Sequence, residues 1–189
     1  VSFTAFVLYG IDAGLTHFIN SFSGYDWYAD SLASWISLAG IPVMVFAVAV
    51  QWWTLQNRSH TRHVLLTAGF SFILGVILNQ LILLFIHRVR PYNEGVTNLL
   101  IAPSGDPSFP SDHATAAFAI ATAFMAYHFK GAKTLLISAI LISVSRIYVG
   151  THFVSDIVGG AITGMLAAGL VVWIYREGSL ADRFLTSIL

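Results

Sequence analysis

Long apolar runs separated by short polar interruptions set the pattern of this chain. Five runs, near 32–55, 64–86, 112–129, 133–149 and 154–175, suit helices that cross roughly 30 Å of hydrocarbon. The fourth is short, and the third carries polar groups at its start, as expected where helix ends line a site. No domain boundary, long repeat or low-complexity stretch interrupts the series. Residues 1–189 therefore read as a single all-α domain, a polytopic membrane helix bundle. Residues 1–22 follow another pattern. Phe3, Phe6, Val7, Ile11, Leu15, Phe18, Ile19 and Phe22 fall on one helical face, and Asp12, Thr16, His17 and Asn20 on the other. This predicts an N-terminal amphipathic helix lying in the membrane interface, with a sixth span as the alternative.

Within the fifth run, Gly160-x-x-x-Gly164-x-x-x-Ala168 forms a stripe of small residues that lets another helix approach closely. Trp52, Trp53 and Trp173 fall near span ends and suit an aromatic belt. If the five spans alternate in direction, the end of the second, the start of the third, the end of the fourth and the start of the fifth share one side. Those positions carry three polar islands: His87-Arg88-Val89-Arg90-Pro91-Tyr92, Pro110-Ser111-Asp112-His113, and Ser145-Arg146 with His152 and Asp156. Residues scattered over some seventy positions are thus expected to meet on one face.

Composition supports the membrane class. Hydrophobic residues make up 57% of the chain and charged residues 10%, whereas a soluble domain carries about one-quarter charged residues. A formal net charge of zero argues against a nucleic-acid partner. The absence of cysteine excludes disulfides, thiolate chemistry and cysteine-based metal sites. No basic segment precedes an apolar run at Val1, so no cleavable signal peptide is expected. Arg58 and Arg62 fall in one loop opposite the islands, Lys130 and Lys133 in another, and Arg176 and Arg183 at the C-terminal end. The island side holds only Arg88, Arg90 and Arg146, so the positive-inside rule puts it outside the cytoplasm.

Charged side chains near a bilayer are costly, and arginines cluster where phosphate is held. Arg88 and Arg90 close the second span, where Pro91 is expected to stop the helix. Taken alone they could be an ordinary basic flank reaching the headgroups. A Gly- and Pro-rich loop from Asn93 to Phe109 is long enough to arch over the site. Ser111 is a plausible helix cap, and the amides behind it offer an anion site. His113 beside bound phosphate could protonate a leaving oxygen. Asp112 should point away from phosphate, toward a basic neighbour.

Gly150 can supply the turn that leads to His152 and Asp156, which share a helix face at i, i+4. Asp156 would accept from one imidazole nitrogen and present the other as nucleophile or base. A metal site is the rival use of two histidines and two acids, but there is no HExxH arrangement and three arginines would repel a divalent cation. His17, His60, His63 and His128 lie outside the islands and are assigned to surface or interface.

The three islands resemble the signature of the type 2 phosphatidic acid phosphatase superfamily: a basic stretch ending in Arg-Pro, then Pro-Ser-x-His, then Ser-Arg with His and Asp downstream. Two departures stand out. The family's lysine, seven positions before the arginine of Arg-Pro, falls on Leu83, and the second motif reads Ser-Asp-His where many members have Ser-Gly-His. These departures, the short length, the run from Ser108 to His113 and the N-terminal helix look like the bacitracin-resistance subgroup, the bacterial undecaprenyl-diphosphate phosphatases.

That resemblance implies a metal-independent, cofactor-free lipid phosphatase in the bacterial inner membrane, acting on undecaprenyl diphosphate at the extracytoplasmic face. His152 would be the nucleophile through a phosphohistidine, Asp156 would orient it, and His113 would be the acid and base. Arg90, Ser111 and Arg146 would hold the phosphoryl oxygens, and the lysine's contact would be either missing or supplied by Arg88. The alternatives are a phosphatidate or phosphatidylglycerol-phosphate phosphatase and a non-catalytic lipid-phosphate binder or transporter.

Overall fold

The computed structural model describes residues 3–187, with side chains from residue 7 onward; Phe3 and Phe6 and the extreme ends of the expected 1–189 domain lie outside the described side chains. All described regular structure is helical: α1 Phe3–Asn20, α2 Trp27–Ala49, α3 Arg58–Leu83, α4 Asp112–Ala126, α5 Ala132–Tyr148, α6 Val154–Ile174 and α7 Leu180–Ser187. Among the described residues α2 with its 3-10 extension (Trp27–Trp53), α3 and α6 are long and apolar enough to cross a membrane.

In hydrocarbon a helix satisfies its own backbone, and side chains facing lipid gain nothing from polarity. The bundle is built accordingly, apolar outside and mixed inside. Phe46, Ile137, Leu166 and Trp173 are all more than half exposed, while Ser37, Thr67, Ser71, Asn79 and Thr115 are fully buried. A water-facing protein does not present so continuous an apolar exterior, and the chain is a multi-pass membrane protein.

α4 occupies the centre, packed against α3, α5 and α6. Its sequence explains the position: Ala114, Ala117, Ala119, Ala121 and Ala123 are fully buried, and side chains this small allow three neighbours to close in. The expected small-residue stripe on α6 meets it. A Cβ on Gly160 would lie 2.5 Å from the Ser111 carbonyl oxygen, and one on Gly164 would lie 2.3 Å from that of Thr115. A polar ladder locks this seam. Asn79 Nδ2 donates to Asp112 Oδ1 (2.6 Å) and Thr115 Oγ1 (3.0 Å), and the Thr115 hydroxyl reaches the Gly160 carbonyl (3.0 Å). Asp112 is therefore turned to an amide on α3, not to a basic neighbour as expected.

Three further expectations change. α3 ends at Leu83, eight residues before Pro91, so the proline does not stop it. Instead Pro91 holds Arg90 in an extended conformation (φ −77°, ψ 149°) and opens a short 3-10 helix. α3 also begins at Arg58, so Arg62 is a buried helical residue that donates to the Thr186 carbonyl (2.8 Å) and lies over the Trp52 ring. After a turn from Tyr175 to Ser179 the chain folds back as α7, which apolar periodicity did not suggest because the helix has only eight residues.

Helix α1 crosses the island end and touches α5 and α6. Leu8, Ile11, Leu15, Phe18 and Phe22 face outward, and Thr16 and Asn20 are buried. Its polar face thus points at the protein, holding helix ends and the 84–111 segment.

Candidate active site

The three islands meet at one end of the bundle because each closes or opens a helix there. The chain between α3 and α4 is ordered against that end: Ser108 N–H donates to the Arg88 carbonyl (2.8 Å), Leu100 N–H to that of Val149 (3.1 Å), and the Thr97 hydroxyl to that of Gly150 (2.9 Å). Gly150 makes the α5–α6 turn at φ +85°, and a Cβ there would fall 2.2 Å from the Asn98 carbonyl oxygen. Both the conformation and the approach require glycine.

A cavity of about 220 Å³ opens at this end, and Arg90, Asp112, His113, Arg146 and His152 line it together with Gln80 and Leu83. Five residues from three sequence islands therefore share one space. Leu83 faces it where the resemblance expects a lysine.

Arg90 and Arg146 set the electrostatics. Each is 7% exposed. Arg90 donates to main-chain carbonyls of Asp106 (2.8 Å) and Thr151 (3.0 Å), and its Nη1 lies 3.3 Å from His152 Nε2. Arg146 Nη1 donates to the Ser37 hydroxyl (2.5 Å), and its buried Nε has no partner among the described residues. Neither guanidinium has a carboxylate within ion-pair distance among those residues. Burying a cation without a counter-charge is costly. Two such cations beside one cavity are suited to an anion with several oxygens.

His152 is oriented differently from expectation. Its Nδ1 lies 2.8 Å from the Ser108 carbonyl oxygen and 3.6 Å from Asp156 Oδ2. A carbonyl only accepts, so Nδ1 carries the proton and the Nε2 lone pair is left facing Arg90 and the cavity. Asp156 does not hold the ring directly. Its carboxylate accepts from the Ser108 hydroxyl, the Phe153 amide (2.8 Å) and Arg88 Nη1 (2.8 Å). Asp156 thus fixes Ser108, and Ser108 fixes the imidazole. Burial, with the charges of Arg146 and Arg90, pulls the His152 pKa below the ordinary histidine value against the opposing effect of Asp156.

Two of the expected phosphate contacts stand apart from the cavity. Arg88 donates to Asp12 (2.7 Å), Ser155 Oγ (2.5 Å) and Asp156 (2.8 Å), and its guanidinium lies 3.8 Å from the Phe153 ring centroid. Those partners hold it away from the cavity, whose lining does not include it, so it does not take the place of the missing lysine there. Ser111 is fully buried and caps α4 by accepting from the Ala114 amide, and its side chain does not line the cavity.

Sequence reasoning missed Ser108, Ser37 and Asp12 as supports. Ser108 acts partly through its main chain, which a side-chain reading does not weigh. Ser37 sits in an apolar run with no motif around it. Asp12 was visible only as part of a polar helical face. Among the described residues no group of three His, Asp or Glu side chains is arranged to hold a metal ion.

Outside the islands, His17 and His128 are exposed, and half-buried His60 pairs with Glu177. His63 is not at the surface: it is fully buried at the opposite end, between Asp182 and Tyr127.

The chain is similar to several known proteins. Residues 64–179 match the model of the PAP2 superfamily. The chain is 32% identical to undecaprenyl-diphosphatase BcrC of Bacillus subtilis, over 78% of this chain and 76% of that protein. It is 27% identical to the putative undecaprenyl-diphosphatase YbjG of Escherichia coli, over 76% and 73%. Among solved structures, LpxE of Aquifex aeolicus superposes with a TM-score of 0.72 at 23% identity, over 86% of this chain and 95% of that one.

Proposed function

The chain belongs to the PAP2 superfamily, and from that premise we propose that it is an integral-membrane phosphatase converting undecaprenyl diphosphate and water to undecaprenyl phosphate and phosphate. One observation carries the reading: two buried arginines without carboxylate partners share a cavity with a histidine whose Nε2 lone pair faces it. The names of the relatives supply the substrate. An apolar groove of about 310 Å³, lined by Leu38, Ile41, Pro42, Phe72 and Val76, runs to Asp112 and His113 and suits a lipid tail.

His152 Nε2 attacks the terminal phosphorus, and the bond from that phosphorus to the bridging oxygen breaks. His113 gives its proton to the departing lipid phosphate. It then takes a proton from water, whose oxygen attacks the phosphohistidine and releases inorganic phosphate and free His152. Arg90 and Arg146 hold the equatorial oxygens, where charge accumulates in the transition state. Ser111 aims the amides of α4 toward the same anion. Asp156 orients His152 through Ser108. These steps require no metal or other cofactor.

In the membrane, α2 to α6 make five spans of one domain, and α1 lies in the interface with its apolar face to lipid. The six basic residues at the other end of the bundle orient the cavity to the extracytoplasmic side of a bacterial inner membrane. The test is phosphate release from undecaprenyl diphosphate by detergent-purified protein in excess EDTA, with phosphatidate and phosphatidylglycerol phosphate in parallel. Chelator-resistant release favouring the diphosphate is expected. Preference for either other lipid would overturn the substrate, and binding without release would make the protein a lipid-phosphate binder.

A further inference from the structure

α1 presents an acid to the machinery that holds His152. Asp12, 13% exposed, accepts from Arg88 Nη2 (2.7 Å), from the Ser155 amide (2.9 Å) and from the Ser155 hydroxyl. One turn on, the Thr16 hydroxyl accepts from the Val154 amide (3.1 Å). Val154 and Ser155 open α6, so their amides have no partner within the helix. The residue before them is Phe153, whose side chain has no oxygen to offer. Acceptors from α1, nearly 140 positions earlier in the chain, fill that gap.

The same contact reaches the nucleophile. Arg88 bridges two carboxylates, Asp12 on α1 and Asp156 on α6. Asp156 holds the Ser108 hydroxyl, and the Ser108 carbonyl holds His152 Nδ1. We propose that Asp12 is a positioning residue for the phosphatase reaction, acting through Arg88 on Asp156 and so on His152; this rests on the proposed function above. Asp12 divides the charge of Arg88 between two acids and keeps the guanidinium beside Asp156 without leaving it fully neutralised there. It also ties the start of α6 to α1, so docking of this helix and readiness of the nucleophile become one event.

Loss of the Asp12 charge leaves Arg88 to Asp156 alone. The negative field at His152 weakens, and the imidazole takes up a proton less readily. The other charged or titratable groups facing His152 are Arg90 from the α3–α4 segment, Arg146 from α5, His113 from α4 and Asp156 from α6. None of them changes in the test.

The experiment compares wild type, Asp12→Asn, Asp12→Glu and Thr16→Val in phosphate release from undecaprenyl diphosphate across pH. Asp12→Asn should lower kcat about 10-fold, the low end of the loss when the partner that orients a metal-ligating histidine is removed, carried over here to a partner that orients a nucleophile. It should also move the acid limb of kcat/KM down by about half a pH unit, less than the roughly 1–3 units of a charge in direct contact, because Asp12 reaches His152 only through Arg88 and Asp156. Asp12→Glu should restore the limb. Thr16→Val removes an α6 cap from the same helix without a change in charge and should leave the limb where wild type has it. The limb position does not depend on the fraction of protein that is folded, so a merely structural role would not move it. An Asp12→Asn enzyme that is slower but keeps the wild-type limb would reduce Asp12 to a cap and overturn the proposal, as would unchanged kinetics. Absence of release from wild type would overturn the phosphatase reading itself, and this inference with it.

Discussion

Two histidine–aspartate pairs sit at opposite ends of this bundle, and they are chemically alike until their other partners are considered. At the cavity end are His152 and Asp156, and at the far end His63 and Asp182. The far pair has the shorter contact, 2.8 Å between Nδ1 and Oδ1 against 3.6 Å at the cavity. His63 nevertheless has no free nitrogen. Its Nε2 meets the Tyr127 hydroxyl (2.8 Å), its ring stacks on Tyr175 with 4.9 Å between centroids, and Asp182 also accepts from the Tyr175 hydroxyl and the Gly178 amide (both 2.7 Å). Every polar atom is used within the protein, and the result is a clasp between α3, the α4–α5 turn and α7. His152 turns Nε2 to the cavity, where its neighbour is Arg90 Nη1 at 3.3 Å, beside two arginines without carboxylate partners among the described residues. What separates a pair able to meet a ligand from a purely structural one is where the second ring nitrogen points, not how close the two residues lie.

The comparison breaks most sharply at the two rings. His152→Ala should reduce kcat by at least about 10⁴-fold, the scale of losing a nucleophile, with the folded fraction unchanged by size-exclusion profile. His113→Ala should cost about 10²–10⁴ in rate, as for a general acid. His63→Ala should do the reverse. It leaves Asp182 buried without its histidine, at a cost of about 3 kcal/mol in stability, read as a lower unfolding midpoint in detergent. Turnover per folded molecule should stay within about twofold, as expected for a residue remote from the chemistry. A large fall in that turnover would mean the far clasp is coupled to the cavity.

Titration sharpens the same contrast. Burial, then the charges of Arg146 and Arg90, lower the His152 pKa, so the neutral imidazole that the proposed attack requires survives below the ordinary histidine range. The acid limb of kcat/KM should therefore lie below about pH 6.5, and a limb above that value would contradict the neutral-nucleophile assignment. The linked stability has the matching sign: below the unfolded value the unfolded chain binds the proton first, so stability falls until pH reaches the lowered folded value. Asp182 is opposite in type. Burial raises its pKa, but the Gly178 amide, the Tyr175 hydroxyl and His63 outweigh that and hold it below the usual carboxylate value. Its contribution is complete above that value and is lost only as pH falls through the lowered one.

Smaller effects are expected at the edges of each region. Gly150→Ala forces a side chain into a left-handed turn against Asn98 and should destabilise the cavity end by about 1–3 kcal/mol. Tyr127→Phe removes one hydrogen bond to His63 and should cost about 1 kcal/mol, measured by the same unfolding assay.

Much of this molecule was legible in the chain. α4 begins at Asp112 and α6 at Val154, as read from Ser111 and the Gly150 turn, because caps and positive-φ glycines act locally. The meeting of Arg90, His113, Arg146 and His152 followed from the alternation of spans alone. The α6 glycine stripe announced a close neighbour, which proved to be the alanine-rich α4. The start of α3 was read six residues late, because its polar first turn continues as helix only where Arg62 and His63 find α7. α7 itself is only eight residues long, about two turns, too short a period to announce its position.

The sequence by itself determined the class of fold, the starts of α4 and α6, and the meeting of Arg90, His113, Arg146 and His152, since hydropathy, caps and alternation are properties of neighbouring residues. Tertiary structure alone decided how they are held: that the Ser108 carbonyl sets the His152 tautomer, that Arg88 turns away to bridge Asp12 and Asp156, and that His63 is fully satisfied. The physical reason is that a hydrogen-bonding group is defined by its remaining valences. In a packed interior those are filled by whatever main-chain or side-chain atom the fold brings within 3 Å, often from a hundred residues away.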